Sequence, residues 1–169
     1  GQTYTQFTVC SNGWISFTST SNSLGGTMPN AGEPNATIAI DWMDLNPGSA
    51  GDVYMYDDVA NDRLIISWVG VAQFGNPNNI YTMQIILEPP TAIYFYYQAV
   101  GTTIGTVGVE NGDGSDAITL WMNGAGAFQP ANETGVAFWA GPSGAVTGLV
   151  REFGSNAPIA NAEVTSAQA

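Results

Sequence analysis

A chain of 169 residues with fourteen acidic and two basic side chains has a net charge of −12, yet only 9% of its residues are charged. Its surface is therefore built mainly from Asn, Thr, Ser, Gly and Gln. Two cations, Arg63 and Arg151, cannot neutralise a phosphate backbone, which excludes nucleic acid as a partner and disfavours anionic membranes.

The strand pattern begins at once. Short β-type runs are predicted at residues 3–10, 14–18 and 37–42, divided by Gly-, Asn- and Ser-rich stretches. In DVYMYDD, Val53 and Met55 alternate with Tyr54 and Tyr56; in DRLIISWVG, Leu64, Ile66 and Trp68 share one face. NIYTMQIILE places Tyr81, Met83, Ile85 and Leu87 on one side, and TAIYFYYQ answers it after the turn EPPT, so the pair reads as a hairpin. Further strands are expected at 106–110, 117–122 and 135–139. No segment repeats apolar residues at helical spacing. Many short strands between Gly, Asn, Asp and Pro clusters predict an all-β fold, an antiparallel β-sandwich of jelly-roll or immunoglobulin-like type. The length suits one domain, assigned to residues 1–140, since a chain of roughly 150 residues buries about two-thirds of its unfolded surface.

Beyond the Gly-Pro-Ser-Gly linker at 141–144, residues 145–151 and 158–165 form a C-terminal hairpin extension without a core of its own. An isolated hairpin is marginal in water, so it is expected to pair with something. No apolar run of about 18 residues predicts a membrane span. No basic region followed by an apolar segment reads as a signal peptide; if the protein is secreted, its signal lies outside this sequence.

Absences narrow the chemistry. Without His there is no Ser-His-Asp or Cys-His nucleophile system, and without Lys there is neither a Schiff-base lysine nor a lysine for a side-chain isopeptide. Cys10 is alone, so it reads as a small buried hydrophobe beside the strand of Trp14 or as a crosslink to another chain. The stretch from Asp41 to Asp62 holds six carboxylates, and Asp41, Asp44 and Asp52 are the candidates for calcium, which takes six to eight oxygen ligands. The spacing does not match an EF-hand loop. The plainer reading makes turns of Asp57, Asp58, Asn61 and Asp62 and of Asn46-Pro47-Gly48. ENGDGSD offers Asp113 and Asp116 to a cation, but Asn-Gly and Asp-Gly are first of all turn dipeptides. A glycosidase needs two carboxylates about 5 to 10 Å apart, and nothing in the sequence singles out such a pair.

Trp14, Trp42, Trp68, Trp121 and Trp139, with Tyr94, Tyr96 and Tyr97, are the aromatic candidates for a sugar platform, and most of them fall at inward positions of alternating strands. Tyr94 and Tyr96 point opposite to Ile93 and Phe95 and form the candidate platform for a sugar ring. Asn35-Ala-Thr and Asn132-Glu-Thr are glycosylation sequons in polar loops.

FTVCSNGWISFTS, IAIDWMDLNPGSAGDVYMYDD, NDRLIISWVGVAQFGNPNNIYTMQIIL and TVGVENGDGSDAITLWMN together resemble the nidogen-like sandwich of large secreted bacterial proteins, often found beside peptidase domains. The resemblance covers about residues 7–139. GAVTGLVREFGSNAPIANAEVTS resembles the opening of a carboxypeptidase-regulatory-like domain, with its G-x-V-x-G-x-V strand followed by P-I-x-x-A-x-V. It implies a non-catalytic module at the cell surface or outside the cell, and supplies no catalytic residues. Strands usual before YTQFTV are missing and the regulatory-like part stops after two strands. The expectation is either a piece of a longer protein or a fold completed by another copy.

The leading expectation is a structural or adhesive module, a subunit of a filament or surface assembly whose partner is itself. Strand donation would bury Val146, Leu149, Val150, Ile159 and Val164 in the neighbour. The alternative is a carbohydrate- or calcium-binding accessory module of a larger secreted enzyme such as a peptidase.

Overall fold

The computed structural model describes residues 2–140, 146–151 and 158–165, with side chains described for residues 2–139. The strands, in chain order, are β1 (Thr8–Cys10), β2 (Trp14–Ser16), β3 (Thr37–Trp42), β4 (Leu45–Asn46), β5 (Asp52–Asp58), β6 (Arg63–Gln73), β7 (Asn76–Glu88), β8 (Ala92–Ala99), β9 (Thr106–Glu110), β10 (Ala117–Met122), β11 (Ala125–Gly126), β12 (Thr134–Ala140), β13 (Val146–Arg151) and β14 (Pro158–Thr165). They pair antiparallel throughout. A six-stranded sheet runs β1-β2-β3-β9-β10-β11, and an eight-stranded sheet runs β14-β13-β12-β8-β7-β6-β4, with β5 also on β6. The antiparallel sandwich predicted from the sequence is the observed fold. The first strand is shorter than expected, Thr8–Cys10 instead of 3–10, and the long hairpin strands extend further.

Alternation explains the core. Ile66, Trp68, Tyr81, Met83, Ile85, Phe95 and Tyr97 come from the inward positions of β6, β7 and β8 and are almost wholly buried. They meet Ile15, Ile38, Ile40, Val107, Ile118 and Leu120 of the smaller sheet in one apolar cluster. Two polar tips in this core find partners, as most buried polar groups do: the Tyr97 hydroxyl donates to the Ile40 carbonyl at 2.7 Å, and Trp68 Nε1 donates to the Ser11 carbonyl at 3.0 Å.

The two outer faces are treated differently. Residues 17–36, between β2 and β3, fold over the outside of the smaller sheet and bury Met28 against Cys10, Trp14, Ala39 and Trp42. Both Trp14 Nε1 and Trp42 Nε1 donate to the Ser23 carbonyl, at 3.1 and 3.2 Å, and Asn30 N donates to Glu110 Oε1 at 2.7 Å. Cys10 is buried in this cluster with its thiol free. Among the described residues no segment performs this service for the outside of the larger sheet.

At one end that sheet also overhangs. β5 pairs only with β6, and Met55, on the same side of the sheet as Ile66 and Trp68, is 61% exposed. At the other end β13 pairs with β12 in register from Gly135↔Arg151 to Ala140↔Val146, and β14 pairs with β13. The linker expected at 141–144 lies outside the described residues.

Candidate functional site

The outside of the larger sheet gathers side chains from five strands. Cross-strand register aligns Tyr54, Ser67, Gln84, Tyr96 and Gly135 in one row, and Tyr56, Ile65, Ile86, Tyr94 and Ala137 in the next. A third row brings Asp58 to Arg63 and Glu88 through Ala92 to Trp139. The Tyr94 and Tyr96 rings lie nearly parallel, 7° apart with centroids at 6.1 Å, and Trp139 meets Tyr94 edge-on, at 88° and 6.3 Å. Burial first, and then the neighbouring Glu88, push the Tyr94 hydroxyl above its ordinary range.

Arg63 closes one end of this face. Its Nε donates to Asp58 Oδ2 at 2.7 Å, and Nη1 stands 4.0 Å from Glu88 Oε1. The Asn61 amide also donates to Asp58, and together with Arg63 it holds that carboxyl below the usual range. The predicted turn at Asp57 to Asp62 is thus real: a single 3-10 turn, Val59–Asn61, with Asp62 in the left-handed region. Sequence reasoning picked Tyr94 and Tyr96 and missed Tyr54, Tyr56, Glu88 and Trp139. Alternation in DVYMYDD put Tyr54 and Tyr56 on one side of β5, but only the register of β6 and β7 brings them onto the face of Tyr94.

The three acidic candidates for calcium occupy different environments. Asp41 exposes none of its surface within β3; Asp44 is half-buried and Asp52 exposed. Asp41 Oδ1 accepts from the Gly105 amide at 2.5 Å, while Oδ2 is buried without a partner. Burial raises its pKa to about 7, opposed by the Gly105 bond. Gly13, at φ +76°, lets the chain pass against β3 here, since a Cβ would strike the Asp41 carbonyl oxygen. Among the described residues no group of three or more His, Cys, Asp or Glu is placed to hold a metal ion. In the other acidic loop, Asp113 Oδ1 accepts from Ser115 N and Oγ at 3.1 and 2.6 Å, and Asp116 Oδ1 accepts from Ala117 N at 2.9 Å. These are turn contacts.

Of the two sequons, Asn35 is half-buried and its amide hydrogen-bonds within its own loop, to the Asn30 and Gly32 carbonyls in its better-satisfied orientation. Asn132 is exposed and accepts from Val100 N at 2.8 Å through its oxygen. Val146, Leu149 and Val150 fall on β13, and Ile159 and Val164 on β14; their side chains lie outside the described ones.

Among the described residues no helix is long and apolar enough to cross a membrane. A family model described as NIDO related matches residues 1–139. Neither the curated proteins nor the solved structures compared with the chain match it.

Proposed function

Because the chain belongs to the NIDO-related family, we propose that it is a building block of an extracellular filament or surface layer, joined to its neighbours by exchange of the β13–β14 tail. Membership itself points to an extracellular, non-catalytic module. The joining mode is supported chiefly by the way β13 is attached. It adds six residue pairs to the edge of β12 and stands outside the stretch that matches the family.

Every one of those main-chain bonds can be made equally well by the β13 of a second copy. Exchange of an identical element between copies therefore costs little beyond the entropy of association. Five residues, 141–145 (Gly-Pro-Ser-Gly-Ala), connect β12 to β13. Fully extended, they span about 17 Å, so the acceptor must begin within that reach. Each copy donates one tail and offers one β12 edge, a head-to-tail contact that propagates as a fibre where it does not close into a ring. Low charge density suits close packing of copies.

Electron microscopy of the concentrated full chain is expected to show filaments or closed rings, and removal of residues 144–169 to abolish them. Assemblies that survive the deletion would exclude the tail as connector. Monomers in both samples would instead favour an accessory module.

A further inference from the structure

We propose that the outside of the larger sheet is a binding face for a neutral polysaccharide lying across β5 to β12. Four tyrosines stand on it in two pairs, Tyr54 with Tyr56 and Tyr94 with Tyr96. Three strand spacings separate the pairs, about 14 Å. Tyr54 and Tyr56 are 56% and 62% exposed, so their rings are open to a ligand.

Between the tyrosine pairs the floor alternates in character. Half-buried Ile65, with the buried Ile86 beside it, forms an apolar step, while in the adjacent row Gln84 Nε2 donates to Ser67 Oγ at 2.8 Å, a fixed amide beside a hydroxyl. A sugar ring has the matching surface: its C–H face packs on aromatic and aliphatic carbon, and its rim of hydroxyls reaches amide, hydroxyl and carboxylate groups. An apolar protein surface laid here would desolvate the remaining donors and acceptors of Gln84, Ser67 and Glu88, and an unpaired buried polar group costs about 1–3 kcal/mol. Glycan hydroxyls repair that loss directly.

Charge sets the ligand class. Arg63 is the one basic residue among the described side chains, and Asp58 and Glu88 already neutralise it at 2.7 and 4.0 Å. Among the described side chains no further cation remains to bind a sulfated or uronic polymer, and a net charge of −12 repels one. The smaller sheet, whose outside is sealed by residues 17–36, offers no comparable surface. Because the ligand lies on a face and tail exchange acts at the edge of β12, the two proposals stand independently.

The test is native gel electrophoresis of the full chain in gels cast with hydroxyethylcellulose, xyloglucan or galactomannan, with dextran sulfate as the anionic comparison, alongside retention on insoluble cellulose and chitin. Retardation or retention is expected with at least one neutral polymer and none with dextran sulfate. Tyr54→Ala and Tyr94→Ala should each weaken binding about tenfold, the loss of roughly one aromatic stacking contact, whereas Phe74→Ala, exposed in the β6–β7 turn, should leave it unchanged. Tyr54 lies on an exposed edge, so its replacement leaves the fold intact even if that of Tyr94 does not. Binding to none of the neutral polymers, or binding undiminished in the Tyr54 variant, would overturn the proposal. A tyrosine variant that changes only the size of the assembly would overturn it too, by giving the face to a second copy.

Discussion

Asp41 shows what the fold does to a single side chain. A carboxylate with one partnered oxygen and one orphan, shut in a dry strand, holds its proton more tightly than in water because burial penalises the charged form. Its pKa rises from 3.8 to about 7, and Tyr81 and Tyr97, whose hydroxyls bond to the Thr103 and Ile40 carbonyls, feel it as the nearby negative group. The native chain therefore keeps a proton that the unfolded chain releases between these values. Stability from this group is complete below about pH 4 and declines as pH rises through about 7. At 1.36 kcal/mol per unit, the whole excursion amounts to about 4 kcal/mol at most. Asp41→Asn keeps an oxygen for Gly105 and removes the charge. Urea titrations should show it more stable than wild type at pH 8, with the difference nearly gone at pH 4; an equal effect at both pH values would contradict the assignment. The sequence could not reveal this environment. It placed Asp41 beside Asp44 and Asp52, because they are near in the chain. The decisive neighbours, Gly105, Tyr81 and Tyr97, come from elsewhere in the fold.

At the scale of strands, alternation was a dependable guide within an element and silent about its surroundings. Leu64, Ile66 and Trp68 share the inward face as their spacing requires, and Trp68 is wholly buried with its indole nitrogen bonded to Ser11. Met55 sits opposite Ile66 on the same side of the sheet, yet it is mostly exposed, because the smaller sheet does not cover β5. The two positions should respond very differently. Trp68→Ala removes a packed aromatic from the centre of the core and is expected to cost about 3–5 kcal/mol. Met55→Ala should change stability by no more than about 0.5 kcal/mol, as for most exposed sites. Thermal or urea unfolding of the two variants checks the contrast, and a large loss from Met55→Ala would mean that β5 is covered after all. The hairpin through EPPT and the turn dipeptides of ENGDGSD were legible for the same local reason. The gathering of Tyr54, Tyr56, Tyr94, Tyr96 and Trp139 was not, since it depends on which strands share a sheet and in what register.

The whole molecule is asymmetric, and its functional readings follow from that. One outer face is closed by residues 17–36 and a second apolar cluster, while the other bears tyrosines, amides and a neutralised arginine. One sheet carries β13 and β14 at its end, beyond the stretch matched by the NIDO-related family. Composition foreshadowed a surface sparse in charge and net acidic; family-type motifs foreshadowed the sandwich. Neither could say whether β13 completes its own chain or another.

Two single-cysteine variants answer that question most directly. Ala137 of β12 and Leu149 of β13 are register partners, and opposed residues of an antiparallel pair lie about 4.5–5.5 Å apart at Cα, within reach of a disulfide. With Cys10 replaced by Ala, Ala137→Cys and Leu149→Cys chains are co-refolded and oxidised, so that the only disulfide this register allows joins two different chains. Tail exchange predicts a covalent heterodimer on a non-reducing gel. If the mixture stays monomeric while a chain bearing both cysteines closes on itself, β13 belongs to its own sandwich and the assembly proposed here is wrong.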